Sequence, residues 1–314
     1  MITEKTGKIV KGLGGLFEVR IPEPDGSVTR LCLHAKKTLH RADEKLLIGD
    51  NVKVSSDDST PDGAVISEVF PRSSALIRPP LANLDLLLVT FAAEKPEPVL
   101  ETVDKLIAIA EFHRIEVAVI ITKRDLNSAL AESYAQIYRK AGFPVFITSS
   151  TADEGIREVS EFVHNFTKGG KIAAFAGASG VGKSSLMNAL FPDLCLQTSA
   201  ISQKVERGKH TTRSVEIFDM EANDPETGFL ADTPGFSLID FERFDFFGLD
   251  DLLSTFRDIA PYRGKCRYAD CAHVGESSAE CAVAKAAEDG EISPSRLSSY
   301  RAVYRVLKNK NKYN

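Results

Sequence analysis

Just past the middle of the chain stands Gly177-Ala178-Ser179-Gly180-Val181-Gly182-Lys183-Ser184, which has the spacing G-x-x-x-x-G-K-[ST]. The glycines let the backbone bend tightly and aim successive N–H groups at phosphate oxygens. Lys183 places a cation where the β- and γ-phosphates of a nucleotide would lie. Ser184, followed by Ser185, offers a hydroxyl to Mg²⁺. Before the loop, Lys171 to Ala176 is an apolar run suited to a buried strand; after it, Leu186, Leu190 and Phe191 recur at helical spacing. Strand, loop and helix together set the positive helix end at the anion. A ligand-free glycine turn would need four fixed positions and both flanks to coincide.

A second strand signal, GFLADTPGF from Gly228 to Phe236, ends in Asp232-Thr233-Pro234-Gly235. Asp232 there can hold Mg²⁺ through water, and the Gly235 N–H can meet a γ-phosphate. Alone, D-x-P-G is also a good surface turn. Ile121 to Asp125, ITKRD, ends a further strand and resembles the guanine-reading motif of GTPases, usually Asn-Lys-x-Asp. The resemblance makes Asp125 the acceptor for guanine N1 and N2 and lays the Lys123 stem along the base, with Arg124 between them. Adenine presents an acceptor at N1, which a carboxylate would oppose. Thr122 replaces the usual asparagine, keeping a hydroxyl and losing the two-sided amide. Thr148-Ser149-Ser150 ends the next strand and resembles the short serine motif that supports the base through backbone N–H groups.

Three of the five cysteines fall between Cys266 and Cys281. Cys266, Cys271, His273 and Cys281 offer three thiolates and an imidazole, a Cys₃His set for tetrahedral zinc. In a reducing compartment the clustering favours a metal over disulfides. Cys32 and Cys195 lie in apolar runs and are expected in the core.

Three regions must position these groups. At 43% hydrophobic and 26% charged, the 314 residues have the composition of a soluble globular chain of more than one domain. Residues 1–72 contain short β-like runs broken by turn residues and are expected to form a small all-β barrel. Pro71 to Pro80 reads as a linker, because paired prolines oppose both helix and central strand. Residues 73–245 alternate strands and helices, an α/β domain with a parallel sheet; Gly142 is the expected C-cap of its second helix. Residues 246–314 are expected to be a small helical metal-binding module. No run approaches the ~20 apolar residues that cross a bilayer, and Met1 to Val10 lacks a signal-peptide layout, so a cytoplasmic chain without membrane contact is expected. A net charge of −5 opposes wholesale coating of nucleic acid, yet from Arg296 onward the tail carries only basic charges.

Motif order sharpens the reading. GTPases run phosphate loop, switch threonine, D-x-x-G, N-K-x-D, serine motif; here the last two precede the first three, as in a circular permutation. Such a rearrangement keeps the same strand pairs. Barrel, permuted domain and Cys₃His module together resemble the circularly permuted GTPases that act in biogenesis of the small ribosomal subunit. The resemblance covers nearly the whole chain. It implies an OB-type barrel contacting rRNA, a zinc module docking on the subunit, binding of GTP and GDP with Mg²⁺, and subunit-stimulated GTP hydrolysis by a monomer. It also makes Arg207 to Thr212 the switch segment, one of Thr211 and Thr212 ligating Mg²⁺ and His210 positioning the attacking water. His210 read by itself is equally a solvated loop residue. Phe236 stands where many GTPases place a water-orienting glutamine, so slow intrinsic turnover is expected. Two other classes fit fewer motifs: a P-loop ATPase has no need of Asp125, and a nucleotide-regulated RNA-binding protein outside the ribosome leaves the catalytic motifs idle.

Overall fold

The computed structural model describes residues 4–36, 39, 45–56, 63–191, 215–221, 224–232, 241 and 243–310. The chain divides into two compact units, residues 1–86, 160–175 and 190–235 in one and 87–159, 176–189 and 236–314 in the other.

Five strands open the first unit: β1 (Lys5–Leu13), β2 (Leu16–Pro22), β3 (Val28–His34), β4 (Asn51–Ser56) and β5 (Ala64–Val69), in antiparallel order β3-β2-β1-β4-β5. A bridge between Ala35 and Ile66 joins the ends of that order, closing a barrel. Period-2 alternation sends Ile9, Val19, Ile21, Leu33, Val52, Val54 and Ile66 into its core. Each such side chain contributes roughly 1.5–3 kcal/mol by leaving water. The same alternation corrects the expectation for Cys32, which lies on the outer face beside buried Leu33 and is exposed. Cys195 lies outside the described residues.

The proline-rich segment is more ordered than a linker. β6 (Ala75–Leu76) and β7 (Leu81–Ala82) pair antiparallel around it. Asn83 fixes the reversal by accepting from Ser73 N and donating to Gly49 O at 2.8 and 2.9 Å. A two-residue ribbon is too short for alternation to reveal.

The sheet that follows has strand order β10-β9-β8-β11-β13-β12, made of β8 (Leu84–Ala92), β9 (Glu116–Thr122), β10 (Val145–Ile147), β11 (Ile172–Ala176), β12 (Glu216–Asp219) and β13 (Phe229–Asp232). β10 with β9 and β11 with β13 are parallel, whereas β12 is antiparallel to β13. Strands β8, β9 and β11 are almost continuously apolar, as strands covered on both faces must be. Helices α1 (Leu100–Phe112), α2 (Ser128–Lys140), α3 (Ile156–Thr167) and α4 (Lys183–Leu190) connect or follow them. Asn127 starts α2 by accepting from Leu130 N at 3.1 Å, two residues beyond Asp125. Gly142, at φ +86°, ends it in the left-handed position that follows the cap.

Helices α5 (Ala282–Glu288) and α6 (Pro294–Lys310) close the described chain. Arg296 on α6 is fully buried and pairs with Asp104 of α1 and with Asp258 at 2.7 and 2.8 Å. Rings of Phe256 and Phe143 flank its guanidinium. Removing one partner from such a group leaves an uncompensated buried charge, a loss of about 3–5 kcal/mol, so α6 is held firmly against α1.

Candidate functional site

The phosphate-loop residues leave β11 and enter α4 without a break. Gly177 sits at φ +148°, and a Cβ there would collide with the Thr90 carbonyl of β8. Only glycine lets the loop pass that strand. Gly180 and Gly182 also have positive φ, at +78° and +99°. Ala178, Ser179 and Gly180 are exposed, Val181 is buried beneath them, and Ser184 and Ser185 lie exposed on the first turn of α4. N–H groups of a first helical turn lack intrahelical acceptors, so they and the helix dipole favour an anion here. The Lys183 ammonium rests on the carbonyls of Gly177 and Ala178 at 2.7 and 2.6 Å, and partial burial lowers its pKa.

The segment from Thr122 to Asp125 is tied to this loop by its own side chains. Thr122, at the end of β9 and buried, donates to the Val181 carbonyl at 2.5 Å. Lys123 takes a left-handed backbone, φ +58°, and its ammonium donates to Gly180 O at 2.8 Å and to Lys95 O. A non-glycine residue in that region costs roughly 1–3 kcal/mol, which surrounding contacts must offset. Asp125 accepts from the Ser149 hydroxyl at 2.5 Å, and this bond holds its carboxyl below the ordinary range. It is therefore an anion, an acceptor only, at neutral pH. Ser149 accepts in turn from Ala152 N, while Arg124 N donates to Thr148 O. The Arg124 side chain pairs with Glu154 at 3.2 Å, and Ser150 lies exposed in the turn beyond β10. The second unit thus gathers an anion-binding loop and an acceptor carboxylate on bonded neighbouring loops.

A second constellation forms in the turns before α5. The ligand atoms of Cys266, Cys271, His273 and Cys281 all lie within 4.8 Å of one another. His273 Nδ1 is 3.4, 3.5 and 3.4 Å from the sulfurs of Cys266, Cys271 and Cys281, and the sulfurs of Cys266 and Cys281 are 3.9 Å apart. Tetrahedral ligands at zinc bond lengths would stand about 3.8 Å apart for two sulfurs and about 3.6 Å for sulfur and nitrogen. The donor set therefore fits a metal ion of that size. Burial lowers the His273 pKa, leaving a neutral imidazole, and pushes the Cys271 thiol up to about 12. A cation offsets the cost of forming thiolates there. Ala282 and Ala284 N–H groups donate to Cys266 and Cys281, and Arg301 donates to His273 O at 2.9 Å.

Asp232 ends β13, opposite Glu216 in the register with β12. His210, Thr211, Thr212 and Gly235 lie outside the described residues. Three contributions were not read from the sequence. Ser149 acts through its hydroxyl on Asp125, whereas the motif suggested only its N–H; the Thr90 carbonyl borders the loop and the Lys95 carbonyl holds Lys123, which no residue type reveals.

A family model described as RsgA GTPase matches residues 69–242. A small ribosomal subunit biogenesis GTPase RsgA of Agathobacter rectalis is 34% identical over 98% of this chain and 100% of its own length. The protein of the same name from Gemmatimonas aurantiaca is 36% identical over 96% of each chain. Among solved structures, YjeQ from Thermotoga maritima superposes with a TM-score of 0.76 at 28% identity, covering 97% of this chain and 99% of its own. YloQ, described as a circularly permuted GTPase, gives 0.75 at 29% identity, covering 98% and 96%. A family model across more than half of the chain, and relatives similar along nearly all of it, establish that this chain belongs to the RsgA GTPase family.

Proposed function

We propose that this GTPase is an assembly factor of the small ribosomal subunit, binding its rRNA while loaded with GTP and leaving after hydrolysis to GDP and phosphate. Relatives that match the full chain are named small ribosomal subunit biogenesis GTPases, which supports the partner. One observation carries the chemistry: Thr122 and Lys123 bond the phosphate loop, so the strand end that presents Asp125 and the loop that presents Lys183 are positioned as one piece. In the reaction, Asp125 accepts from the guanine edge and Lys183 leaves the loop carbonyls for the β- and γ-phosphate oxygens. Backbone N–H groups from Gly177 to Ser185 cradle the phosphates. Ser184 and Asp232, with Thr211 or Thr212, would hold Mg²⁺, which when bound would supply positive charge against the charge developing on the phosphates. Positioning and charge stabilisation of this kind carry most of phosphoryl transfer. His210 and Gly235 are assigned to the water and the γ-phosphate.

The Cys₃His set is assigned one structural Zn²⁺, its donor spacing supporting that ion. Residues 1–72, 73–245 and 246–314 act as barrel, GTPase domain and zinc module of a monomer working in the cytoplasm. Among the described residues no helix is long and apolar enough to cross a membrane. Co-sedimentation with purified small subunits tests the assignment. Binding at least about fivefold tighter with a non-hydrolysable GTP analogue than with GDP is expected, the lower end of ordinary coupling. Equal binding with both nucleotides would overturn it.

A further inference from the structure

Strands β12 and β13 form an antiparallel hairpin whose second strand ends on Asp232. One row of the barrel is built against this hairpin. Lys8 of β1, Arg20 of β2 and Arg30 of β3 are direct cross-strand neighbours. Like charges so placed repel and destabilise a sheet unless something opposite covers them. The hairpin supplies the cover. Arg20 is buried, its Nε is 2.9 Å from Asp219 Oδ1, and its terminal nitrogens donate to the carbonyls of Asp224 and Pro225 at 2.5 and 3.4 Å. Arg30 grips the other Asp219 oxygen at 2.8 Å. Lys8 and Arg20 both lie over the Phe229 ring, 5.6 and 5.2 Å from its centroid. Arg20 thus touches the end of β12, the connecting turn and the start of β13. The Arg20–Asp219 ion pair therefore joins β2 directly to the end of β12.

We propose that Arg20 is a positioning residue for GTP hydrolysis: rRNA held by the barrel shifts β2, Arg20 reseats the hairpin through Asp219 and Phe229, and Asp232 is brought to its working position. The inference rests on the small-subunit reading above and adds the path by which the partner is felt. Only Leu230 and Ala231 separate Phe229 from Asp232 on one strand, so a movement at the first reaches the second through paired backbone. The guanine site and phosphate loop make none of these contacts. The expected signature is therefore a change in kcat without a change in nucleotide affinity.

The test uses full-length protein with Arg20→Ala, Arg20→Lys, Asp219→Asn and the combination Arg20→Ala with Asp219→Asn. GTP turnover with and without purified small subunits, co-sedimentation, and affinity for a fluorescent GDP analogue are measured for each. Arg20→Ala should lower subunit-stimulated kcat about tenfold, with GDP-analogue affinity and subunit binding within about twofold of the parent. Arg20→Lys, which keeps the charge and loses the planar fork, should fall between them. The combination should cost less than the sum of the two single changes, because both break the Arg20–Asp219 contact while Asp219→Asn also loosens Arg30. Stimulated kcat at the parental value, a loss that merely follows weaker subunit binding, or additive losses would each overturn the inference. Should Arg20→Ala lack a cooperative melting transition, Arg20→Lys and Asp219→Asn carry the same comparison. Absence of stimulation in the parent protein would instead refute the small-subunit reading itself.

Discussion

Replacing Thr122 by valine removes one hydroxyl from the core of the nucleotide site and keeps the side-chain shape. In the structure that hydroxyl donates to the Val181 carbonyl at 2.5 Å and lies 3.3 Å from Phe91 O, in a residue only 3% exposed. The valine variant leaves the Val181 carbonyl without this donor, a cost of about 1–3 kcal/mol for a buried acceptor. Without nucleotide the loop can relax and hydrate that carbonyl; with phosphates fixing the loop it cannot. The cost therefore falls mainly on the bound state, and at about 1.4 kcal/mol per tenfold the affinity for GDP and GTP should drop roughly 5- to 150-fold. Fluorescence titration with labelled GDP, followed by competition with GTP and ATP, measures the effect. Thr122→Ser, which keeps the donor, should stay near the parental affinity. Thr122→Val affinities within twofold of the parent would refute the claim that Thr122 joins the base-reading strand to the phosphate loop.

Asp125→Asn should shift preference from guanine towards xanthine nucleotides, whose altered edge suits an amide; competition between GTP and XTP against the labelled nucleotide reads this directly. Cys271→Ser should release zinc, measured by elemental analysis, and loosen the segment before α5, with GDP affinity nearly unchanged because Asp125 and Lys183 make no contact with the cluster. Lys8 is a pH probe of the barrel: burial lowers its pKa from 10.5 to about 8. Its charged form is disfavoured in the folded state, so between pH 8 and 10.5 the unfolded chain holds the proton and stability should climb with pH, by up to about 1.4 kcal/mol per unit. Lys8→Met should flatten that rise in chemical denaturation.

Much of the architecture was legible because β8 and β9 coincide with apolar runs bounded by polar residues, and α2 ends where Gly142 allows it. The Cys₃His cluster was legible from residue type and proximity in the chain, since short spacing leaves few alternatives. What escaped depends on long-range geometry. Cys32 looked apolar by its neighbours, yet one step along a strand reverses the face. The Ser149 hydroxyl reaches Asp125 across 24 positions, and Arg20 reaches Asp219 across about 200. No local pattern encodes such contacts, whereas local patterns do encode strands, caps and loops.

In the proposed function, guanine nucleotide hydrolysis by this chain answers to the small ribosomal subunit. Phosphate release from GTP and from ATP, with and without purified small subunits, tests it most directly. Slow GTP turnover alone, at least about tenfold faster turnover with subunits, and negligible ATP turnover in both are expected. ATP hydrolysed as readily as GTP, or GTP turnover indifferent to subunits, would contradict it.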